Sequence, residues 1–339
     1  MSEEGIMKVR LLRILEIMRK TDEKHPLNAT QICEELKRRF NIVAERKAVG
    51  RDLKCLDAAG YTIVKCDNHN AGAYMIDQLF EDYELKIIAD AICSAHFMTE
   101  QDTEQLLKKI KNMATDEGES IIKDTAFFDK LLKSEDKQNK NKIDTLIRAI
   151  REKKKIKFKY FEIGENIKKI HKREGHEYNL SPYFLVLHDN EYFLIANSAS
   201  NDGASHFRLE MIDELEITEE TARPIREIVD FYDENKNRLS VEEYLRKTLD
   251  MWSGKPENIV LECKYDAYND IMNTFGRNVH AYSFKKDTFR VKIQAVNNQG
   301  FYHWLAGKGT DIKVVMPLRV KHGFCDYIRE ISDSYKDLE

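Results

Sequence analysis

Apolar residues recur at helical spacing in three successive segments near the N-terminus, which predicts three amphipathic helices. The first carries its apolar residues from Met7 to Met18. Asn28, with Gln31 three residues later, resembles a capping box that opens the second helix. The third begins near Arg46, and Gly60 is well placed to end it as the first residue past the cap.

The third helix divides into an apolar side and a basic side. Val49, Leu53 and Leu56 form one apolar stripe. Lys47, Arg51 and Lys54 each stand two positions earlier, roughly 200° around the helix. Taken alone, this basic side fits a solvated surface as well as it fits a helix that reads the major groove of DNA.

The sequence after the third helix predicts a β-hairpin. Tyr61 to Val64 is typical of a strand, Ala73 to Ile76 can return antiparallel to it, and Asp67 to Gly72 has the composition of a hairpin tip. Three helices and a hairpin predict a winged helix-turn-helix. The DNA-contacting residues that this predicts are Arg46, Lys47, Arg51 and Lys54.

Local charge favours the DNA-reading alternative. Residues 1–66 contain 14 Lys and Arg against 10 Asp and Glu, whereas the whole chain of 339 residues has a net charge of −4. From Leu36 to Lys54 the basic residues number 7 and the acidic residues 2. The positive excess therefore lies where DNA would lie.

Residues 79–140 show a helical pattern with two amphipathic elements, one around Leu85 to Ile92 and one around Leu106 to Met113. The polar stretch Ser134 to Lys142 predicts a linker before the next domain. The helices fit a spacer or a dimer seam, and because symmetric operators are usually read by two-fold dimers we expect a homodimer.

From Ile143 the pattern becomes β. The predicted strands, which suggest a small barrel, are Ile156 to Tyr160, Leu180 to Leu187, Tyr192 to Ala196 and Phe207 to Ile217. After a helical connector around Val241 to Leu249, residues 251–339 predict the order βαββαβ with one added helix. Phe301 and Trp304 stand at helical spacing there, and we expect them in a core.

Three strand segments of this β region resemble the WYL domain: Leu180 to Val186, Glu191 to Ala196 and His206 to Ile212, with Tyr192-Phe193-Leu194 in place of the tripeptide that names the family. The third-helix segment resembles the winged head of WYL-domain transcriptional regulators. Two features depart from the family: the head has Ala48 and Gly50 at its usual Thr and Tyr positions, and the tripeptide lacks its tryptophan. Gly50 inside a helix costs about 1 kcal/mol relative to alanine.

The resemblance implies a multi-domain α+β regulator. Its expected parts are a winged helix-turn-helix head (1–78), a helical linker (79–140), a small SH3/Sm-like β-barrel that is the WYL domain (141–222), a helical connector (223–250) and a C-terminal ferredoxin-like extension (251–339). The extension would serve assembly or sensing.

The resemblance also implies that the barrel senses an anionic, small-molecule or nucleic-acid effector. The positions it carries over are Tyr183, Tyr192, Ser205, His206 and Arg208. His206 and Arg208 share one face of a strand, where both could hold an anion. The alternative function is an accessory or stress-sensing module whose barrel binds a nucleotide or single-stranded nucleic acid, on the basic residues Arg151, Lys153, Lys154, Lys155, Lys157 and Lys159. A solvated basic face explains the same residues.

The sequence gives little support to other classes of protein, namely enzymes, metal-binding proteins and membrane or secreted proteins. There is no P-loop, Gly-x-Ser-x-Gly or His-Glu-x-x-His, so we expect no enzyme and no cofactor. The cysteines are scattered without a Cys-x-x-Cys pair; Cys55, Cys66 and His69 form a partial ligand set, but packing explains them better than a metal. Without a membrane-length apolar run or a signal-peptide core, we expect a cytoplasmic protein with reduced thiols.

Overall fold

The computed structural model describes residues 3–66, 72–76, 80–233, 236–277 and 279–336. The chain forms two compact units, residues 1–136 and residues 137–339. The model is a mixture of helices and antiparallel sheets, with a helical N-terminal part. No helix among the described residues is both long enough and apolar enough to span a membrane.

The first unit begins with three helices and a two-stranded antiparallel sheet. These elements are α1 (Glu3–Met18), α2 (Ala29–Phe40), α3 (Arg46–Ala58), β1 (Ile63–Lys65) and β2 (Ala73–Met75). The predicted capping box is present, because the Asn28 side chain accepts the backbone N–H of Gln31 and the Gln31 side chain accepts that of Asn28. Of the predicted hairpin tip, Asp67 to Gly72, residues 67–71 lie outside the described residues.

A shared core holds these elements together. Its buried residues come from all three helices and from β2: Ile14, Leu15, Ile17, Met18, Ile32, Leu36, Val49, Leu56, Ala73 and Met75. Gly60 follows α3 with φ of +97°, the left-handed conformation that favours glycine after a helix. The helix therefore ends where the sequence predicts it.

Three further helices complete the first unit: α4 (Asp82–Ser94), α5 (Glu100–Met113) and α6 (Asp116–Thr125). Only the first two were singled out from the sequence; α6 is short and buries Ile122 against them. The buried Lys133 donates to the carbonyls of Ile92, Cys93 and Ala95 at the end of α4. This ammonium satisfies carbonyls that a helix end leaves without partners.

The linker predicted over Ser134 to Lys142 is wrong in its second half. Helix α7 (Asn139–Glu152) begins inside it and continues through the region where the sequence predicted β-structure to start. Leu146 and Ala149 are fully buried on this helix and pack in the core of the following sheet. The helix belongs to the second unit because its apolar face is needed to cover that sheet.

Six strands follow: β3 (Lys154–Ile163), β4 (Lys169–His171), β5 (Glu177–His188), β6 (Glu191–Ser198), β7 (Ser205–Arg208) and β8 (Ile212–Thr221). All pairings are antiparallel, in the order β4-β3-β5-β6-β7, and β8 pairs with β3. The single strand predicted from Phe207 to Ile217 is wrong, because a 3-10 turn at Leu209–Met211 divides it. The turn lets the chain leave β6 and reach β3.

The rest of the second unit contains α8 (Val241–Lys247), β9 (Pro256–Lys264), α9 (Tyr268–Phe275), β10 (His280–Lys285), β11 (Thr288–Val296), α10 (Gln299–Gly307), β12 (Ile312–Met316) and α11 (Leu318–Ser334). The predicted βαββαβ order with an added helix is present, and the antiparallel strand order is β10-β11-β9-β12. Phe301 is fully buried, and the Trp304 indole lies near its ring and donates to Thr274 at 3.2 Å. Phe301 is a core residue, as predicted, and the half-buried Trp304 packs against the same core.

Candidate nucleic-acid interface and ligand-binding residues

Helix α3 presents its basic residues to solvent. Val49 and Leu56 are buried in the core of the first unit. The side chains predicted to contact DNA are all exposed: Arg46, Lys47, Arg51 and Lys54. The apolar stripe and the basic face therefore lie on different sides of the helix, as the spacing predicts.

An ion pair between α1 and α3 fixes the orientation of that helix. The Nε of Arg10 donates to Oδ2 of Asp52 at 2.6 Å, and its Nη2 donates to Oδ1 at 3.3 Å. The Arg10 and Asp52 side chains are only 14% and 12% exposed. The hydrogen bond to Asp52 raises the pKa of Arg10, so the guanidinium stays charged. A bidentate pair with little solvent around it defines the roll of α3 about its axis better than apolar contacts alone.

Gly50 lies within the same helix, and nothing around it requires a glycine. A Cβ built at this position meets no atom within 4 Å, and its φ is not in the left-handed region. Its presence lowers the stability of α3 without relieving a clash. It also leaves the surface between the basic residues without a side chain.

Both ring nitrogens of His206 have hydrogen-bond partners inside the second unit. Its Nδ1 lies within hydrogen-bonding distance of the Met251 carbonyl, and its Nε2 lies 2.6 Å from the hydroxyl of Tyr244. The carbonyl can only accept, so Nδ1 carries the proton and Nε2 accepts from Tyr244. Burial lowers the pKa of His206, which favours this neutral form.

Arg208 lies on the same strand face but has different partners. Its Nε lies 2.8 Å from Oε2 of Glu191, and its guanidinium stands over the Phe193 ring. With both ring nitrogens of His206 bonded and Arg208 paired to an acid, the two residues do not form the open anion site that their spacing suggested. Their role in binding an effector stays a prediction.

The remaining predicted ligand residues are partly or fully covered. Tyr183 is buried and donates to the Arg223 carbonyl at 2.9 Å, and burial raises its pKa to about 12. Tyr192 is half-buried against the core of the sheet formed by β3 to β8, and Ser205 is half-buried on β7. Of the five residues, His206 and Tyr183 therefore have identified roles in holding the second unit together.

The lysines of β3 are paired rather than free. Along the strand, Lys154 pairs with Glu219, Lys155 with Glu220, Lys157 with Glu216 and Glu177, and Lys159 with Glu214. Most of these acids belong to β8, which lies beside β3 in the sheet. The acids neutralise the strand face that the sequence suggested as a single-stranded nucleic-acid groove, so the solvated-face interpretation fits the geometry better.

Sequence reasoning missed Arg10, Asp52 and Tyr244. Asp52 and Arg10 had no local signal, since they lie 42 residues apart. Tyr244 lies 38 residues from His206, and its pairing depends on the tertiary structure. The acids of β8 did carry a signal, because five of the ten residues of that strand are acidic.

Among the described residues, two surface groups bring metal-ligating atoms together: Asp22, His25 and Glu117 in the first unit, and His188, Asp189 and Asp250 in the second. In the first group Nδ1 of His25 lies 3.0 Å from Oδ1 of Asp22, which is hydrogen-bonding distance. Their members are half-buried or exposed, so we assign no metal to either. Cys55 is exposed and Cys66 half-buried, and His69 lies outside the described residues.

The class of the central domain follows from a family comparison. Residues 141–217 match the family described as the WYL domain. The WYL domain predicted from the strand segments is therefore confirmed over this range, which includes most of α7. The match covers less than half of the chain, so it identifies the domain and not the whole protein.

Among solved structures, the chain is similar to the proteasome accessory factor B/C (PafBC) of Arthrobacter aurescens. The identity is 15%, the TM-score is 0.29, and the match covers 97% of this chain and 49% of the PafBC chain. This chain thus spans about half the length of PafBC. A CRISPR Cas-related protein is similar at 14% identity and a TM-score of 0.36, over 98% of this chain and 85% of the other. No curated protein matches the chain.

Proposed function

We propose that the protein is a DNA-binding transcriptional regulator with a WYL domain that takes part in effector sensing. In this interpretation α1–α3 and the β1–β2 hairpin form a winged helix-turn-helix, the WYL domain is a small SH3/Sm-like barrel, and residues 251–339 form a ferredoxin-like domain. We further propose a homodimer that acts in the cytoplasm and binds rather than catalyses.

The observation that carries this proposal is the exposed basic face of α3. Arg46, Lys47, Arg51 and Lys54 are exposed on a helix whose opposite side is anchored by Asp52 and buried apolar residues. Long cationic side chains on a fixed helix suit contacts with phosphates and guanine edges. The WYL match supports the same class by resemblance.

The strand order of the two sheets supports the finer fold names. Within the WYL domain the order β7-β6-β5-β3-β8 is that of a five-stranded meander whose last strand returns to the first, as in SH3/Sm-like barrels. In the C-terminal part, two helices cross between strands paired in the order β10-β11-β9-β12, as in a split βαβ arrangement.

The paired lysines of β3 weigh against the alternative in which this strand binds single-stranded nucleic acid. A groove for single strands needs cations that are available to phosphates. Lys155, Lys157 and Lys159 instead lie within 4 Å of carboxylates. We therefore favour the regulator.

The test begins with selection of bound DNA from a random pool by the full chain, because a palindromic product also reports dimer symmetry. Affinity for the selected sequence is then compared between the wild type and the double variant Arg51→Ala/Lys54→Ala. We expect a loss of about 100-fold and a shallower salt dependence, by about two phosphate contacts. An equal replacement on α5, Lys108→Ala/Lys109→Ala, removes the same charge and is the matched control.

Two results would contradict the proposal. Either the pool yields no preferred sequence, or the α3 variant binds as tightly as the α5 variant at every salt concentration. Circular dichroism of both variants checks that α3 remains folded.

A further inference from the structure

A cavity of about 910 Å³ lies in the second unit, and none of the predicted effector-binding residues lines it. It is bounded by the segment that follows β8, by the end of α8 and by the first residues of β9. Its size falls at the upper end of the range of small-molecule sites. Neither the family match nor the sequence patterns assign anything to it.

Cationic side chains at this cavity are available to a ligand. Arg226, Lys236 and Lys255 line it, are exposed and make no ion pair with any residue that the structure describes. They contrast with the lysines of β3, which are each paired with a carboxylate. An anion in the cavity would meet three unneutralised cations.

The carboxylates at the same cavity are already engaged within the protein. Glu227 accepts from Arg223 at 3.2 Å. Asp233 accepts the backbone N–H of Asn237 at 2.7 Å and its side-chain amide at 3.0 Å. The charge of Glu227 is therefore offset by Arg223, and the Asp233 carboxylate is held in place by hydrogen bonds within the protein.

Asp230 is different, because it has no cationic partner among the described residues. One of its oxygens accepts the backbone N–H of Ala204 at 2.7 Å. Burial raises the pKa of this carboxyl, as expected for an acid held away from water without a counter-charge. Its second oxygen is suited to accept a hydrogen bond from a hydroxyl or amino group of a ligand.

The cavity also has an apolar wall. Val229 is 58% exposed there, although it is a large hydrophobic residue, and it stands beside the half-buried Tyr232 and Pro256. A planar ring resting on this wall would remove it from water. The lining of the cavity thus includes cations for a phosphate, an apolar wall for a ring and one hydrogen-bond acceptor.

We propose that this cavity binds a nucleoside phosphate, with the phosphate held by Arg226, Lys236 and Lys255 and the base against Val229 and Tyr232. Asp230 accepts from a sugar hydroxyl or a base amino group. This inference rests on the proposed function, because it assigns an effector to the regulator. Binding of the nucleotide to the cavity does not itself require DNA.

The experiment is calorimetric titration of the full chain, without DNA, with the common ribonucleoside monophosphates and diphosphates. At least one should bind saturably with one site per chain. The matching nucleoside without phosphate, and inorganic phosphate alone, should each bind at least about tenfold more weakly, because each offers only half of the contacts. Binding should weaken as salt is added.

Variants test the location. Arg226→Ala/Lys255→Ala should weaken binding by at least about tenfold, while Lys313→Ala, an exposed cation of β12, should leave it unchanged. Val229→Glu places a negative charge on the cavity wall at an already exposed position and should also abolish binding. Thermal unfolding of each variant shows that the second unit is intact.

The inference is overturned if no nucleotide binds saturably, or if the cavity variants bind the nucleotide as tightly as Lys313→Ala does. Neither of these outcomes bears on the operator experiment with Arg51 and Lys54. Conversely, failure to select DNA leaves a positive nucleotide titration standing, so the two proposals fail separately.

Discussion

The ion pair between Arg10 and Asp52 gives the sharpest prediction for the first unit. Replacing Asp52 by alanine leaves the Arg10 guanidinium, which is only 14% exposed, without its counter-charge on α3. We expect the first unit to lose stability and α3 to lose its fixed orientation, although the basic residues remain in place. Operator affinity should fall for the same reason.

The size of the effect follows from the geometry. Two unit charges about 3 Å apart attract by about 5 kcal/mol at an effective dielectric constant of about 20. Desolvation of both groups offsets part of this attraction, and residual solvent access lets the orphaned guanidinium rehydrate in part. A loss of about 2 to 4 kcal/mol in the free energy of unfolding remains, which is a large share of the stability of an ordinary domain.

The two units can be followed separately in one unfolding experiment. The chain has two tryptophans, Trp252 and Trp304, and both belong to the second unit. In urea, tryptophan fluorescence therefore reports the second unit, while circular dichroism also reports the helices α1–α6 of the first. Asp52→Ala should move the circular-dichroism transition to lower urea and leave the fluorescence transition in place.

A neutral replacement of both partners is the control. Arg10→Met/Asp52→Leu keeps the volume and removes both charges, so it should recover most of the lost stability. If Asp52→Ala unfolds at the wild-type urea concentration, or if the double variant is no better than the single one, the pair does not fix α3. A matching shift of the fluorescence transition would mean that the effect is not confined to the first unit.

Two further predictions concern Gly50 and His206. Gly50→Ala should stabilise the first unit by about 0.5 to 1 kcal/mol in the same urea experiment, because a Cβ there meets nothing; lower stability would contradict the open geometry. Burial lowers the pKa of His206 below its unfolded value of about 6.5, so the unfolded state binds a proton first as pH falls. The contribution of His206 to the free energy of unfolding of the second unit should be constant above about pH 6.5 and should decrease as the pH falls below that value. His206→Asn should make this decrease less steep. Equal pH dependence of the two proteins in tryptophan-monitored unfolding would refute this reasoning.

Local signals in the sequence predict much of the fold. Asn28 and Gln31 are a capping box in both sequence and structure, and Gly60 ends α3 as predicted. The elements of residues 251–339 also occur in the predicted order. These features depend on neighbours a few residues apart, which is why a single sequence contains them.

The errors come from contacts between distant residues. Helix α7 was missed because it opens with polar residues, and Asn139 and Lys142 are buried by packing that no local pattern records. The spacing of Ile143, Leu146 and Ile150 did carry the helical period. His206 looked like a ligand-binding residue because its partners, Tyr244 and Met251, are remote in sequence. A residue type at a strand position cannot reveal that its hydrogen bonds are already satisfied.

The segment between β8 and β9 links the proposed nucleotide cavity to the WYL strand β7. Arg226 and Lys247 of this segment line the cavity. Asp230 bonds to Ala204 just before β7, while Tyr244 and Met251 hold the ring of His206 on that strand. A ligand that binds one arrangement of the segment more tightly than another must therefore change the contacts of β7.

Such coupling is reciprocal, so a change at His206 must alter ligand affinity even though His206 does not line the cavity. His206→Asn frees the segment at Tyr244, and we expect nucleotide affinity to change by about fivefold or more, whereas Lys313→Ala should not change it. Calorimetric titration of both variants measures this directly. Equal affinities would show that the contacts of His206 do not couple the cavity to β7, and would leave the hydrogen bond between Asp230 and Ala204 as the remaining link.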